Sequence, residues 1–150
     1  MIRLKVIQKM GGLTMGWEKY REISLAIVDN DSFTRELLTT IFKQKTLLNV
    51  YSFSNIDDAL DFLKKSKVEL ILLDFSMLEP SMLSDDGQDF LEIIKSDKDE
   101  DEPLIILMTQ ERLTKKRIKE LGVDYSISKL FDFGNIISEM YAYLEEKVNQ

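Results

Sequence analysis

Four apolar runs in this 150-residue chain each end on a side chain suited to holding a metal ion or a phosphoryl group. Ile23-Ser-Leu-Ala-Ile-Val28 leads into Asp29-Asn30-Asp31, and Val68-Glu-Leu-Ile-Leu-Leu73 leads into Asp74. Leu104-Ile-Ile-Leu-Met108 leads into Thr109, and Tyr125-Ser-Ile-Ser128 into Lys129. Carboxylates brought together repel one another and need a cation to stay ionised. Mg²⁺, which takes one or two carboxylates and keeps several waters, is suited to that task beside a phosphoryl oxygen. A lysine adds a mobile point charge and a threonine one hydroxyl donor. In an open parallel sheet the carboxyl ends of neighbouring strands lie side by side, where such folds hold their ligands. The order acid pair, lone Asp, hydroxyl, Lys therefore predicts one pocket for a metal ion and a phosphoryl group.

Composition narrows the chemistry further. With 44% hydrophobic residues the chain can bury the core of one globular domain. A formal net charge of −7 argues against nucleic acid as a direct ligand, since phosphate backbones need a positive surface. The absence of cysteine and histidine removes thiol catalysis, the Ser-His-Asp triad, the usual zinc sites and phosphohistidine. If phosphate is carried here, a carboxylate is the best candidate. No run approaches the roughly 18 apolar residues of a membrane span, and the amino terminus lacks the apolar core of a signal peptide. No membrane association and a cytoplasmic location are expected.

These runs must be positioned by a repeating scaffold. Residues 1–22 read as an extension that is poorly ordered, broken by Gly11, Gly12 and Gly16, although Trp17 and Tyr20 could pack on the domain. From Ile23 to Val148 short apolar runs alternate with amphipathic stretches, the pattern of βαβ units. Phe33, Leu37, Leu38, Ile41 and Phe42 recur at helical spacing. Val50–Phe53 reads as a second strand, and Ser54 three residues before Asp57 as a capping box for the next helix. After Asp74 an irregular stretch from Phe75 to Asp86 closes at Gly87, and an acidic connector, residues 97–102, leads to the fourth strand. A basic helix spans Glu111 to Leu121 and stops at Gly122, and a last helix starts near Asp132 and buries Ile136, Ile137, Met140 and Leu144. The expected fold is α/β, a doubly wound (βα)5 flavodoxin-like three-layer sandwich with a five-stranded parallel sheet.

Across Ala26–Leu38, Leu70–Asp74, Pro103–Thr109 and Gly122–Phe131 the chain resembles the receiver domains of two-component response regulators. The resemblance covers nearly everything from Ile23 to Val148, and is strongest to stand-alone receivers of the chemotaxis or sporulation type, with no output domain expected. It implies that Asp74 is the phosphoacceptor, taking a phosphoryl group from a sensor histidine kinase or phosphotransfer protein and signalling to an output protein that the sequence does not identify. It implies Mg²⁺ held by Asp29, Asn30, Asp74 and the backbone carbonyl of Ser76, with Thr109 and Lys129 stabilising the phosphoryl group. Switching and tuning fall to Gln110, Glu111, Tyr125 and Ser126. Lys115, Lys116, Arg117 and Lys119 fall on the face where receivers dock their targets, and a monomer or weak dimer is expected.

The chain departs from the family pattern at several of these positions. Asn30 stands where a second acid is usual, and Gln110 where the residue after the hydroxyl is small. Ser126 stands where an aromatic precedes the lysine by three, Tyr125 lies one residue earlier and so on the opposite strand face, and Leu130 replaces a proline. The stretch from Asp74 to Gly87 is longer than usual. Other readings follow from the same residues. Asp29 and Asn30 are also helix-capping types, the basic helix reads more simply as a solvated face, and a degenerate receiver would serve as a constitutive interaction module without phosphorylation. Leu73-Asp74-Phe-Ser76 also resembles the aspartyl nucleophile motif of haloacid-dehalogenase-like phosphatases. That family needs a second acid where Ser76 stands, and its nucleophile follows the first strand. No classical enzyme activity is expected beyond the chain's own phosphorylation and dephosphorylation.

Overall fold

The computed structural model describes residues 16–78, 90–95, 102–129 and 133–149. Five strands alternate with five helices: β1 (Ser24–Val28), α1 (Ser32–Lys45), β2 (Asn49–Phe53), α2 (Ile56–Lys65), β3 (Leu70–Asp74), α3 (Phe90–Lys95), β4 (Leu104–Thr109), α4 (Lys115–Leu121), β5 (Tyr125–Ser128) and α5 (Phe133–Val148). All strand pairings are parallel, in the order β2-β1-β3-β4-β5. The expected doubly wound three-layer sandwich is the observed architecture. β3 and β4 are unbroken apolar runs because helices cover both of their faces. Edge strand β2 carries alternating, largely exposed side chains.

Strand pleating sorts the core into two layers. Leu25, Ile27, Leu70, Leu72, Ile106, Met108 and Ile127 face Leu38 and Phe42 of α1 and Ile136, Met140 and Leu144 of α5. Ala26, Val28, Ile71, Leu73, Ile105 and Leu107 face Ala59 and Leu60 of α2, Phe90 of α3 and the α4 residues Ile118 and Leu121. With helices on both faces, the carboxyl edge between β1 and β3, where chain order reverses, is left open for a site.

Helix ends refine several expectations. Asp31, not Asp29 or Asn30, caps α1, accepting from Thr34 N–H at 2.9 Å. The cap of α2 is Asn55 rather than Ser54: Asn55 accepts from Asp58 N–H at 2.8 Å and its amide donates to the Asp58 carboxylate at 2.9 Å, so the box is shifted by one residue. α4 begins at Lys115 rather than Glu111, because Thr114 caps it and the preceding residues are held by β5. It ends at Gly122, whose φ of 74° lets its N–H turn back to the Ile118 and Lys119 carbonyls. Phe33 is 69% exposed: it heads the flanking Leu37–Ile41 row of α1, while the row that enters the core is Leu38–Phe42.

Within the segment expected to be an extension, Gly16–Tyr20 form a 3-10 turn packed on the domain. Tyr20 is fully buried, donates to Glu145 of α5 at 3.1 Å, and meets the Trp17 and Tyr141 rings edge-on. The expectation of poor order for residues 1–15, the loop beyond Leu78 with Pro80 and Gly87, the acidic connector before Glu102, and Leu130 and Asp132 lie outside the described residues.

Candidate functional site

Sheet register brings the four elements to one edge. Val28 is level with Leu73, so Asp29 emerges beside Asp74. Asp74 is level with Met108, and Thr109 follows one step beyond. Thr109 is level with Ser128, and Lys129 comes next, its N–H donating to the Thr109 carbonyl at 2.7 Å.

Lys129 closes the constellation. Its Nζ lies 3.1 Å from Asp29 Oδ2 and 3.2 Å from Asp74 Oδ1, so a single ammonium bridges two carboxylates. Asp29 is completely buried, and its other oxygen accepts from Asp31 N–H at 2.9 Å. Asp74 Oδ2 accepts from the Ser76 hydroxyl at 2.6 Å, from the 3-10 turn Phe75–Leu78. Burial, aided by the charge of Asp74, holds the Asp29 carboxyl above its ordinary range despite the Asp31 N–H and Lys129. Burial alone would lower the Lys129 ammonium, but the charges of Asp74 and Asp29 outweigh it and raise the group. Two negative charges and one positive thus share a largely dry pocket, in which each Asp74 oxygen already accepts one hydrogen bond.

Thr109 is buried, and its hydroxyl donates to the Glu111 carbonyl. The residues after it are tied to β5 instead of to the carboxylates. Ser128 donates to the Gln110 carbonyl at 3.3 Å, and Ser126 accepts from Leu113 N–H at 3.3 Å. The Gln110 and Glu111 side chains are exposed. Tyr125 lies on the opposite strand face, stacked on Tyr143 at 4.6 Å, with Arg112 bridging to Glu139 of α5 beside it. Asn30 is exposed in the β1–α1 turn. Lys115, Lys116, Arg117 and Lys119 are exposed along α4, away from the carboxylates, with Arg117 3.5 Å from Glu120.

The sequence reading missed Arg35, whose Nη1 donates to the Asp29 carbonyl at 2.8 Å. Its only signal was a cation six residues after the acid, at the end of the first turn of the following helix. It also missed Ser128, and the pairing of Arg112 with Glu139. Among the described residues no group of three or more His, Cys, Asp or Glu forms a metal cluster, and no helix is long and apolar enough to cross a membrane.

A family profile described as response regulator receiver domain matches residues 25–141. No curated protein matches the chain at a significant level. Among solved structures, the receiver domain of the Francisella response regulator 1452 is 17% identical with a TM-score of 0.64, over 84% of this chain and 98% of that one. A CheY-like response regulator receiver domain protein from Methanospirillum hungatei JF-1 is 18% identical with a TM-score of 0.62, over 83% and 96%. The BeF3-activated DrrB receiver domain, DrrB being a response regulator of Thermotoga maritima, is 22% identical with a TM-score of 0.59, over 82% and 97%. At these identities the structural likeness speaks for the fold.

Proposed function

The chain belongs to the response regulator receiver domain family, and on that premise we propose that it is a phosphorylation-switched module in which Asp74 is the phosphoacceptor. The phosphoryl donor in this reading is a sensor histidine kinase or a phosphotransfer protein. An Asp74 carboxylate oxygen forms the new O–P bond as the N–P bond of phosphohistidine breaks. The departing imidazole keeps the bonding pair and takes up a proton. The observation that carries the reading is the ammonium of Lys129 within hydrogen-bond range of both Asp29 and Asp74 at the carboxyl edge of the sheet. Phosphoryl transfer asks a protein for alignment and charge stabilisation, and that edge supplies both.

The donor set suits Mg²⁺. Asp29 and Asp74, with the amide oxygen of Asn30 and the backbone carbonyl of Ser76, are hard oxygens of the kind this ion takes while keeping several waters. When bound, the ion supplies neutralisation of the charge on the carboxylates and the phosphoryl oxygens. Asn30 brings no charge, so the hold is weaker than that of a set with another acid. Lys129 then serves as the built-in counter-cation, pairing with the phosphoryl oxygens once Asp74 carries the acyl phosphate.

The phosphoryl group carries about 1.5–2 negative charges in place of the single charge of the Asp74 carboxylate, and brings three strong acceptor oxygens. Thr109 donates to that group only by leaving the Glu111 carbonyl. That exchange loosens the Thr109–Leu113 segment, which Ser126 and Ser128 tie to β5 and Arg112 ties to Glu139. The basic face of α4, with Lys115, Lys116, Arg117 and Lys119, is the partner surface that would feel the change. Moving a population from mostly one state to mostly the other needs about 5.5 kcal/mol of differential stabilisation, which fixes the scale the new phosphoryl contacts must reach together.

A small acyl phosphate with Mg²⁺ tests the reading. Intact-mass measurement should show one added phosphate, removed by Asp74→Asn. No addition, or addition elsewhere on the chain, would overturn it.

A further inference from the structure

The turn that carries Asp29 and Asn30 belongs neither to β1 nor to α1, so its shape depends on individual bonds. Asp29 N–H donates to the Phe53 carbonyl at 3.1 Å, extending the β1–β2 ladder by one step. Asp31 N–H donates to Asp29 Oδ1 at 2.9 Å, and Asp31 then caps α1 through Thr34. The Asp29 carbonyl has a different partner. Arg35 reaches back from the end of the first turn of α1 and donates to it from Nη1 at 2.8 Å.

We propose that Arg35 is a positioning residue for the pocket: by holding the Asp29 carbonyl it fixes the peptide plane that aims both Asp29 and Asn30. This rests on the reading of Asp74 as a phosphoacceptor. The Asp29 carbonyl and the Asn30 nitrogen share one rigid peptide plane. Anchoring the oxygen therefore holds the Asn30 N–Cα bond in place and leaves only rotation about that bond to aim the side chain. That direction matters more here than it would for an acid, because a neutral amide oxygen contributes to a cation site only where it points correctly. The arm is itself anchored. Arg35 N–H donates to the Asp31 carbonyl at 2.9 Å, and its own carbonyl accepts from the Thr39 hydroxyl at 2.7 Å. A guanidinium suits the task because its charge strengthens the bond and its planar fork loses little freedom in making it.

The test compares the full chain with Arg35→Met and Arg35→Lys. In metal-free protein, NMR solvent exchange is followed at Asp31 N–H, whose acceptor is Asp29, and the carbonyl carbon of Asp29 is observed directly. Arg35→Met should accelerate Asp31 exchange about tenfold, the scale expected on loss of a hydrogen bond to a charged group, and shift the Asp29 carbonyl resonance. The amides of Leu38 and Phe42 should exchange as in the parent chain. With acyl phosphate and saturating Mg²⁺, its phosphorylation rate should fall about tenfold at unchanged donor KM, and Arg35→Lys should recover only part of it. Wild-type Asp31 exchange in Arg35→Met, uniform acceleration along α1, or full rescue by lysine would each overturn the proposal. A parent chain that takes up no phosphate would sink the phosphoacceptor reading alone, and the metal-free exchange would still decide Arg35.

Discussion

Lys129→Met is the most informative single perturbation, because it removes charge and keeps most of the side chain's volume. Lys129 lies 3.1 Å from Asp29 and 3.2 Å from Asp74. At those distances each attraction is about 5 kcal/mol for an effective dielectric near 20. Much of that is cancelled, since burying three charges has its own desolvation cost and the carboxylates repel each other. Removing one partner of a buried pair leaves a deficit of about 3–5 kcal/mol. Lys129 and Asp74 keep 16% and 11% of their side-chain surface, which brings the expected deficit to about 2–4 kcal/mol at pH 8.

The pH dependence fixes the cause. Asp29 already sits above its ordinary range through burial, and losing Lys129 raises it further. A carboxyl raised in the folded state stabilises the fold when protonated, and that contribution is lost as pH rises through the folded value. The Lys129→Met deficit is therefore absent below about pH 4 and grows towards neutrality. Urea unfolding followed by circular dichroism from pH 3.5 to 8.5 measures it. Adding Asp29→Asn to Lys129→Met should recover at least half of the loss at pH 8. A deficit equal at pH 3.5 and pH 8, or no recovery with Asp29→Asn, would show that Lys129 matters only as packing.

Two further outcomes follow from the same geometry. Asn30→Asp adds a charge beside Asp29 and should tighten Mg²⁺ binding in calorimetric titration; unchanged or weaker affinity would place residue 30 outside the metal's reach. Tyr20→Ala opens a hole beneath α5 and deletes the bond to Glu145, which should cost about 3–5 kcal/mol in denaturant unfolding, whereas a loss under about 1 kcal/mol would show that the segment before β1 is dispensable.

The sequence by itself determined the scaffold and which side chains stand at the carboxyl ends of its strands. Alternation of apolar runs with helical periodicity is a local property, and burial forces it into strands covered by helices. The meeting of the strand-end residues was legible because a parallel sheet puts carboxyl ends together whatever the sequence between them. What only the tertiary structure decided is which atoms meet. Asp29 and Lys129 lie 100 residues apart, and their contact depends on register and rotamer, which local pattern does not encode. The same holds for Arg35 turning back on Asp29, for Thr109 donating to its own loop, for Tyr20 finding α5 and for Phe33 staying exposed. A hydrophobic pattern says that a residue is near the core, but a hydrogen bond needs two atoms within about 3 Å of each other, and that precision arises only once the whole sheet has set its spacing.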